Sequence, residues 1–332
     1  MYERLLSQLA HVQIVSPKFE ESVAFFKTVV GLEESGRDGK SVYMRGWGDH
    51  FYHCLEIIEG DKPALGHIGW RAQGPDQLEK AVKRIEATGY GIGWVDATAG
   101  RGKAYHYRGP GGHEHYLFWD VTRFTGEGDM APIFPNRPQR FNPRGVAARS
   151  LDHVTVTTAN PEEDANWYRE ALGHRYMEST IADEEAGFGD FVVFAMTTVC
   201  ERSHDFGLVA DFSGVPGRVN HVAFWVDQRE ELRRAADVLL DADVPIEFGP
   251  GRHGMGEQDY LYFREPGGLR IELNSGGYHN YEPDFETVRW TPAQGSNVYY
   301  RNQKMPHSMF ESFPPAENTH AEDDMAKTTL FV

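Results

Sequence analysis

The sequence predicts an α+β fold made of two similar halves, each with two units of a strand, a helix and several further strands. Three observations support this prediction. Short alternating apolar runs mark strands, amphipathic runs mark helices, and the order of these runs repeats along the chain. A chain of 332 residues also exceeds the usual size of one hydrophobic core, which favours two domains.

The first strand of each half carries a histidine. The stretches "LAHVQIVSPKFEESVAFFKTVVGLEE" at 9–34 and "LDHVTVTTANPEEDANWYREALGHRY" at 151–176 both begin with an alternating run, which is typical of a strand. His11 lies in the first run and His153 occupies the same place in the second. The two histidines are therefore predicted to lie at equivalent positions of two strands.

A helix follows each of these strands. Ser16 and Asn160 are residue types that cap helices, and each precedes a proline, which favours the first helical position. Gly31 and Gly173 follow the helical stretches, and glycine commonly ends a helix. The same start and stop signals thus occur in both halves.

A second pair of similar stretches follows. "GHIGWRAQGPDQLEKAVKRIEATGY" at 66–90 matches "NHVAFWVDQREELRRAADVLLDADV" at 220–244. Each begins with a short strand that carries a histidine near its start, His67 or His221, and continues into an amphipathic helix. The chain therefore contains four related units.

A Pro-Gly-Gly turn leads into a late strand of each half. The two copies read "PGGHEHYL" at 110–117 and "PGGLRIELN" at 266–274. The sixth residue after the proline is Tyr116 in the earlier copy and Glu272 in the later one. The frame is repeated, but only the later copy keeps an acid.

The repeats divide the chain into a first domain at 1–127, a linker at 128–148, a second domain at 149–282 and a tail at 283–332. The linker contains "GDMAPIFPNRPQRFNPRG", which has four prolines and little periodicity. The tail lacks clear periodicity, and we expect it to pack over the second domain. Its last dozen residues are acidic and polar, so we expect them to be mobile.

Composition excludes several classes of partner. A formal charge of −17 argues against nucleic acid and against an anionic membrane surface, and no apolar run is long enough to span a membrane. The two cysteines, Cys54 and Cys200, are too few for a disulfide framework. The beginning of the chain does not resemble a signal peptide. We expect a cytoplasmic protein.

Two imidazoles and one carboxylate occupy equivalent strand positions in the second half: His153, His221 and Glu272. On one concave sheet they would form the facial triad of non-haem Fe(II) sites, which leaves three positions open. The first half offers Tyr116 where the acid should be, so we expect no metal there. On spacing alone, hydrogen-bonded core histidines are an equal alternative, because the chain has 15 histidines. Further residues could also supply a ligand: His113, Glu114 and His115.

A larger set of short motifs carries a family resemblance. In order they are "LDHV" at 151–154, "SHDFGL" at 203–208, "NHVAF" at 220–224, "GPGRHG" at 249–254, "YLY" at 260–262 and "PGGLRIEL" at 266–273. With this order and spacing the second half resembles the type I extradiol ring-cleaving dioxygenases of the vicinal oxygen chelate superfamily. It is most similar to the branch of the homoprotocatechuate and catechol 2,3-dioxygenases.

The resemblance implies four βαβββ modules paired into two domains, each an open, barrel-like mixed sheet with outer helices. It implies Fe(II), or less often Mn(II), bound by His153, His221 and Glu272 in the second domain. It also implies that O2 is the co-substrate, that a catechol ring is cleaved next to its hydroxyl pair in aromatic-compound catabolism, and that the chain forms a homo-oligomer, commonly a tetramer.

Three further residues take catalytic roles from the resemblance. His204 matches the active-site histidine that acts as acid and base toward substrate and oxygen. Tyr262 and His253 match residues that hydrogen-bond the catechol oxygens. A group titrating near neutrality suits the proton transfers, and histidine meets that need.

The sequence departs from the resembled branch where that branch holds a substrate carboxylate with arginines. Phe248, Ser296 and Asn297 stand at those positions here. Without a guanidinium, a buried carboxylate would lack its counter-charge. Together with Met196 these residues favour an uncharged catechol with an apolar or halogenated substituent.

Two arginines of the tail leave an alternative open, because Arg289 or Arg301 could bind a carboxylate from another direction. Two other functions are also compatible with this fold. One is a metal-dependent isomerase or lyase of the glyoxalase type, whose sites often have extra glutamates. The other is a non-enzymatic drug-sequestering module, in which an intact ligand triad would have no purpose.

Overall fold

The computed structural model describes residues 3–182, 189–300 and 302–316, and it contains two large mixed sheets with helices on their outer faces. The described elements follow the order strand, helix, three strands four times over. The predicted α+β fold of four βαβββ modules is therefore confirmed. The predicted mobile end of the tail and Arg301 lie outside the described residues.

The first sheet has eight strands among the described residues, in the order β2-β3-β4-β1-β5-β8-β7-β6. Strands β1 and β5 pair antiparallel and join the first two modules. The strands are β1 (Leu6–Ser16), β2 (Glu33–Asp38), β3 (Ser41–Arg45), β4 (Leu55–Glu59), β5 (Ala64–Ala72), β6 (Gly91–Val95), β7 (Ala104–Arg108) and β8 (Glu114–Phe118). The helices are α1 (Phe19–Phe25), extended by a π-helical turn (Phe26–Val30), and α2 (Pro75–Thr88).

The second sheet has nine described strands, in the order β14-β15-β16-β13-β9-β12-β11-β10-β17. Strands β9 and β13 join its two modules in the same antiparallel way. The strands are β9 (Ser150–Thr158), β10 (Arg175–Ile181), β11 (Val192–Thr198), β12 (Phe206–Ala210), β13 (Val219–Trp225), β14 (Ile246–Arg252), β15 (Gln258–Arg264), β16 (Arg270–Gly276) and β17 (Val288–Trp290). The helices are α3 (Pro161–Leu172) and α4 (Arg229–Asp241).

The predicted helix signals hold for α3 and only in part for α1. Asn160 caps α3 by accepting a hydrogen bond from the Glu163 amide (3.3 Å), and Gly173 ends it with φ of 73°. Helix α1 begins later, at Phe19, without a side-chain cap. Ser16 does not cap it, because its hydroxyl bonds to Ser22 (2.7 Å) instead.

One hydrophobic core runs through both halves. Trp70 of the first half packs its ring against Phe206 of the second, with centroids 5.7 Å apart. A polar tie reinforces this contact, since Ser22 donates to the buried Glu265 carboxylate across the halves (2.5 Å). The two sheets are thus held together by burial of apolar surface and by buried hydrogen bonds.

The tail packs over the second sheet and contains an element that the sequence did not reveal. Strand β17 pairs in parallel with β10 at the edge of the sheet. Glu178 of β10 is buried, and its carboxylate accepts hydrogen bonds from Tyr278 (2.6 Å), Trp290 (2.6 Å) and the Gly256 amide (2.9 Å). Trp290 belongs to the tail, so its bond to Glu178, with the pairing of β17, holds the tail against the sheet. Among the described helices, none is long and apolar enough to cross a membrane.

Candidate metal and substrate site

Three adjacent strands bring the predicted ligand triad together. His153 of β9 and Glu272 of β16 both pair with Ala223 of the intervening strand β13. His221 lies two residues before Ala223 and so on the same face of that strand. The pairing register therefore places one histidine, a second histidine and one carboxylate around a single point on the concave face.

The distances within the triad fit a metal-binding site. The Nε2 atoms of His153 and His221 are 3.0 Å apart, and Glu272 Oε2 lies 3.1 Å from the first and 3.0 Å from the second. Ligands in neighbouring positions of an octahedron, about 2.1 Å from the metal, are about 3.0 Å from each other. The three atoms thus occupy one face of an octahedron. Among the described residues, no other group of three acids, cysteines or histidines comes this close.

The orientation of both imidazoles is fixed by the residue that precedes each histidine. The Nδ1 atom of His153 bonds to the Asp152 carboxylate (2.8 Å), and that of His221 bonds to the Asn220 side-chain oxygen (2.8 Å). Nδ1 carries the proton in both rings, so each Nε2 presents a lone pair toward Glu272. Neither Glu272 oxygen accepts a hydrogen bond from a described residue. Three atoms that present lone pairs to one another at this distance repel each other unless a cation lies between them.

The electrostatics of this cluster agree with cation binding. Burial lowers the pKa of His153, but Glu272 and Asp152 outweigh burial and raise that pKa to about 9. Without a metal, His153 therefore holds an additional proton at pH 7, and a metal ion displaces this proton when it binds. Burial lowers the pKa of His221 to about 4, so this ring is neutral near pH 7.

Asp152 is itself firmly held. Its carboxylate accepts hydrogen bonds from Arg202 (2.8 Å), Gln258 (3.2 Å) and Asn274 (2.7 Å). Burial raises the pKa of Asp152, but the charge of Arg202 together with the bonds from His153 and Asn274 outweighs burial and holds that pKa below its usual value. A buried carboxylate of this kind keeps His153 aligned and makes it a stronger ligand.

Neither orienting residue was predicted from the sequence, although a signal was present. Asp152 and Asn220 immediately precede the two ligand histidines, whereas Ala10 and Gly66 stand at the same places in the first half. Alanine and glycine have no side-chain oxygen that could accept a hydrogen bond from an imidazole. The two halves therefore differ at the residues that orient the histidines as well as at Glu272 and Tyr116.

A cavity of about 100 Å³ opens from the triad. It is lined by residues of the second sheet and of the tail. Six of the seven other predicted site residues line it: Met196, His204, His253, Tyr262, Ser296 and Asn297. Apart from Phe248, the predicted catalytic and substrate-binding residues thus surround one cavity.

Phe248 is the exception. Its side chain is absent from the described lining of the cavity and packs behind it, with its ring 4.8 Å from that of Tyr260 and 6.3 Å from that of Tyr262. Phe248 pairs with Tyr262 across β14 and β15, so the two side chains lie beside each other on one face of the sheet. Of the two, only Tyr262 belongs to the described lining of the cavity.

His204 lies directly beside the triad. Its ring centroid is 4.2 Å from that of His153, and the side chain is buried. Burial and then the charge of His153 lower the pKa of His204 well below its usual value. His204 is therefore neutral at pH 7 and has a nitrogen available to accept a proton within the cavity.

His253 and Tyr262 form a hydrogen-bonded pair at the wall of the cavity. His253 Nδ1 donates to the Asn297 carbonyl (2.5 Å), so its Nε2 accepts from the Tyr262 hydroxyl (3.0 Å). Burial raises the pKa of Tyr262 well above its usual value, so this phenol stays protonated. Tyr262 directs its proton to His253 and presents oxygen lone pairs to a ligand.

No lysine or arginine lines the cavity in the described part of the chain. Arg289 forms an ion pair with Glu162 on the surface, and Arg252 pairs with Glu257 (3.2 Å) and lies over the Tyr299 ring. Neither guanidinium reaches the site. The described wall therefore offers no cation to a substrate carboxylate.

The alternative ligands considered from sequence have structural roles. His115 is buried between the halves, where the Trp70 indole donates to its Nδ1 (3.0 Å). His113 bonds to the Arg218 carbonyl (2.7 Å), and Glu114 pairs with Arg108. These contacts account for all three residues without a metal.

The first half keeps the geometry of the site but not its chemistry. The Nε2 atoms of His11 and His67 are also 3.0 Å apart, and the His53 ring lies 4.5 Å from that of His11, much as His204 lies beside the second-half triad. Tyr116 stands at the position of the carboxylate. Arg101, which is buried, has its guanidinium 4.9 Å from the Tyr116 ring centroid. A fixed positive charge here opposes a metal cation.

We expect one metal ion per chain, and Tyr116→Phe should leave the metal content unchanged. The reason is that the Tyr116 phenol lies beside Arg101 and replaces the carboxylate that a dication needs. Metal analysis by mass spectrometry after reconstitution with Fe(II) checks this. Two equivalents per chain, or loss of metal in the variant, would contradict it.

Comparison with known proteins identifies relatives over most of the chain. The family model described as Glyoxalase/Bleomycin resistance protein/Dioxygenase superfamily matches residues 8–115 and 150–273, more than two thirds of the chain. A metapyrocatechase of Geobacillus stearothermophilus is 36% identical over 286 residues, which cover 86% of this chain and 86% of that protein. A manganese-dependent 2,3-dihydroxybiphenyl 1,2-dioxygenase of Geobacillus genomosp. 3 is 35% identical over 292 residues, covering 86% of this chain and 90% of that protein.

A solved structure supports the fold. The homoprotocatechuate 2,3-dioxygenase of Brevibacterium fuscum, in complex with 3,4-dihydroxyphenylacetate, matches with a TM-score of 0.78 at 24% identity. The match covers 93% of this chain and 92% of that chain. The fold that the resemblance implied is therefore confirmed over most of the chain.

Proposed function

We propose that this chain, which belongs to the Glyoxalase/Bleomycin resistance protein/Dioxygenase superfamily, cleaves the ring of an uncharged catechol next to its hydroxyl pair. The reaction uses O2 and a divalent iron or manganese ion held by His153, His221 and Glu272. It serves the catabolism of aromatic compounds. The relatives named as catechol-cleaving dioxygenases support this activity.

One observation carries the proposal: two Nε2 lone pairs and one carboxylate oxygen converge at mutual distances of 3.0–3.1 Å beside a cavity. A triad on one face leaves three positions for a chelating diol and dioxygen. A glyoxalase-type isomerase is less well supported, because no second glutamate lines the described cavity. A drug-sequestering module would not need the triad.

When bound, the metal lowers the pKa of a coordinated catechol and brings the diol and dioxygen together. The chain's own groups handle the protons. His204 accepts the proton that a catechol hydroxyl loses. It later donates this proton to an oxygen atom that comes from O2. Tyr262, which donates its own proton to His253, accepts a hydrogen bond from the catechol hydroxyl that keeps its proton and fixes the ring. Met196 and the tail side chains exclude water.

Iron is the metal that this ligand set most often holds in oxygen-activating sites. Manganese remains the alternative, because a relative 35% identical to this chain is named as manganese-dependent. The ligand triad suits both ions. Reconstitution of the metal-free protein with each ion, followed by turnover per bound metal, distinguishes them.

The substrate is uncharged because the described cavity wall carries no guanidinium or ammonium group. Ser296 and Asn297 occupy the places of two arginines in the resembled branch, and the buried Ser296 hydroxyl has no hydrogen-bond partner among the described residues. A carboxylate in this space would lose its hydration without gaining a counter-charge. A neutral ring substituent avoids that cost.

We expect kcat/KM for 4-methylcatechol to exceed that for 3,4-dihydroxyphenylacetate by about tenfold or more, since each missing charged hydrogen bond costs about 1.5–3 kcal/mol. Steady-state kinetics at fixed pH, salt and saturating O2 check this. Asn297→Arg should raise the relative value for the acid. Preference of the unaltered protein for the acid would contradict the proposal and direct attention to Arg301.

We also propose that the chain works as a homotetramer in the cytoplasm. An apolar patch on the linker supports assembly, because Ile133, Phe134 and Phe141 are each at least half exposed. Both cysteines are free thiols, which suits a reducing compartment. Light scattering coupled to gel filtration tests the assembly, and a monomer would contradict it.

A further inference from the structure

We infer that a cleft between the two halves is a second ligand site, which binds a small organic carboxylate with a flat, unsaturated body through Arg71 and Arg123. The cleft has a volume of about 620 Å³, and residues of both halves line it. It shares no described lining residue with the cavity that opens from the ligand triad. The inference therefore adds a ligand and a site to the proposed ring cleavage.

Two arginines of the first half bring like charges together at one wall of this cleft. The guanidinium carbons of Arg71 and Arg123 lie 5.3 and 6.0 Å from the centroid of the same ring, that of Phe51. The main chain fixes this arrangement, because Phe51 and Arg123 form an antiparallel bridge. Burial and then the charge of Arg123 lower the pKa of Arg71, against a smaller opposing effect of Asp120. The two cations therefore repel each other across a short distance.

Neither of these cations is neutralised by an acid. In the part of the chain that the structure describes, no carboxylate lies within 4.0 Å of the guanidinium of Arg71 or Arg123. Arg71 donates through Nε to the Trp119 carbonyl (3.1 Å), and its guanidinium carbon lies 4.3 Å from the Trp119 ring centroid. Its two terminal nitrogens and the whole guanidinium of Arg123 remain available to donate. Such forks bind a planar carboxylate by two parallel hydrogen bonds.

The other charges of the cleft are accounted for within the protein. Three further arginines that line it each have a carboxylate partner: Arg4 with Glu201 (2.8 Å), Arg149 with Asp227 (2.9 Å) and Arg202 with Asp152 (2.8 Å). Asp49 and Asp205 also line the cleft, and burial raises the pKa of both to about 6 despite the charge of Arg202. The positive charge that lacks a described partner is therefore that of Arg71 and Arg123.

The same cleft offers apolar surface to the body of a ligand. Leu9 of β1 and Leu151 of β9 are buried side chains of its lining. Phe51 and Trp225 add two partly exposed aromatic rings. An inorganic anion would use the charges but not this surface, whereas a conjugated carboxylate uses both. The chemistry of the cleft thus selects a flat organic acid.

The test uses the full-length, metal-loaded protein and anaerobic titration calorimetry with benzoate at fixed pH and salt. We expect one benzoate per chain, and acetate should bind at least about tenfold more weakly because it lacks the flat body. Saturation with 4-methylcatechol should leave the affinity for benzoate unchanged, since the two sites are separate. Absence of benzoate binding, displacement of benzoate by the catechol, or equal affinity for acetate would overturn the inference.

Substitutions locate the site. Arg71→Gln and Arg123→Gln should each raise the Kd for benzoate by at least about tenfold, because each removes a charged hydrogen-bond donor. Arg233→Gln makes the same change on the exposed face of α4, outside the cleft, and should leave that Kd as in the unaltered protein. Arg123 is also exposed, so its replacement tests the site without disturbing the core. Unchanged Kd in the folded Arg71→Gln and Arg123→Gln variants, or an equal loss in Arg233→Gln, would contradict the assignment.

Two sources could supply the carboxylate: an aromatic acid from outside, or the ring-opened product, which rests on the proposed function. The product of 4-methylcatechol and benzoate are therefore titrated side by side. Tighter binding of the product would assign the cleft to the enzyme's own product, and tighter binding of benzoate would assign it to an aromatic acid. If no ring-opened product forms, the ring-cleavage proposal fails, while the benzoate titration still decides the cleft.

Discussion

Replacing Glu272 with glutamine should lower metal affinity by more than about 100-fold and abolish ring cleavage. The substitution keeps the shape of the side chain but removes the anionic ligand between two Nε2 atoms, each about 3 Å from the carboxylate oxygen. Loss of groups that only orient metal ligands already costs about 10–100-fold. Metal content after dialysis and competition with a metal chelator measure the change.

The first half supplies a matched control for this variant. Glu56 lies 3.9 Å from His67, so Glu56→Gln makes the same chemical change beside the equivalent pair of histidines. We expect this control to keep its metal and its activity. Retention of tightly bound metal by Glu272→Gln would show that the ion is held elsewhere.

Replacing His204 with asparagine should slow turnover by about 10²–10⁴-fold while metal content and anaerobic catechol binding persist. His204 lies 4.2 Å from the His153 ring, centroid to centroid, but its side chain is not part of the triad. Its neutral imidazole is the group best placed to take the proton of the diol. Single-turnover kinetics on the iron-loaded variant separate the chemical step from binding.

His53→Asn is the corresponding change in the first half. The His53 ring stands 4.5 Å from that of His11, in the same tilted arrangement. Turnover of this variant should match that of the unaltered protein. Loss of metal in His204→Asn, or an equal loss of turnover in both variants, would remove the proton-transfer role.

The repeated modules could be predicted from the sequence because their signals are local. Strand alternation, the Asn160 cap and the Gly173 end depend on near neighbours in the chain, and the structure places them as expected for α3. Helix α1 departs from the prediction because the Ser16 hydroxyl bonds to Ser22, and Ser22 bonds to Glu265 in the other half. A contact between residues so distant in sequence leaves no local pattern.

The ligand triad was predictable for a different reason. His153, His221 and Glu272 lie at equivalent places in repeated strands, so the repeat itself aligns them on one face. The residues that orient the imidazoles, Asp152 and Asn220, could also have been found from the sequence, since Ala10 and Gly66 stand at their places in the first half. That contrast became meaningful only once the Nδ1 contacts were known.

The cavity wall was harder to predict than the ligands. Phe248 was expected to contact substrate, but it lies beside Tyr262 and outside the described lining of the cavity. Part of the cavity wall comes from the tail, where Met305 and Phe310 follow no periodic pattern. The buried guanidinium groups of Arg218 and Arg270 hold the tail just after Phe310 by bonds to main-chain carbonyls. Such bonds do not depend on the identity of the acceptor residues.

The most direct test of ring cleavage at this site follows the oxygen atoms. The iron-loaded protein is supplied with 4-methylcatechol and ¹⁸O-labelled dioxygen, the product is trapped at once, and mass spectrometry locates the label. We predict uptake of one dioxygen per ring and a ring-opened product with one labelled atom in a carboxylate and one in an aldehyde. A dicarboxylate from cleavage between the two hydroxyl groups, or no uptake of labelled oxygen, would contradict the account.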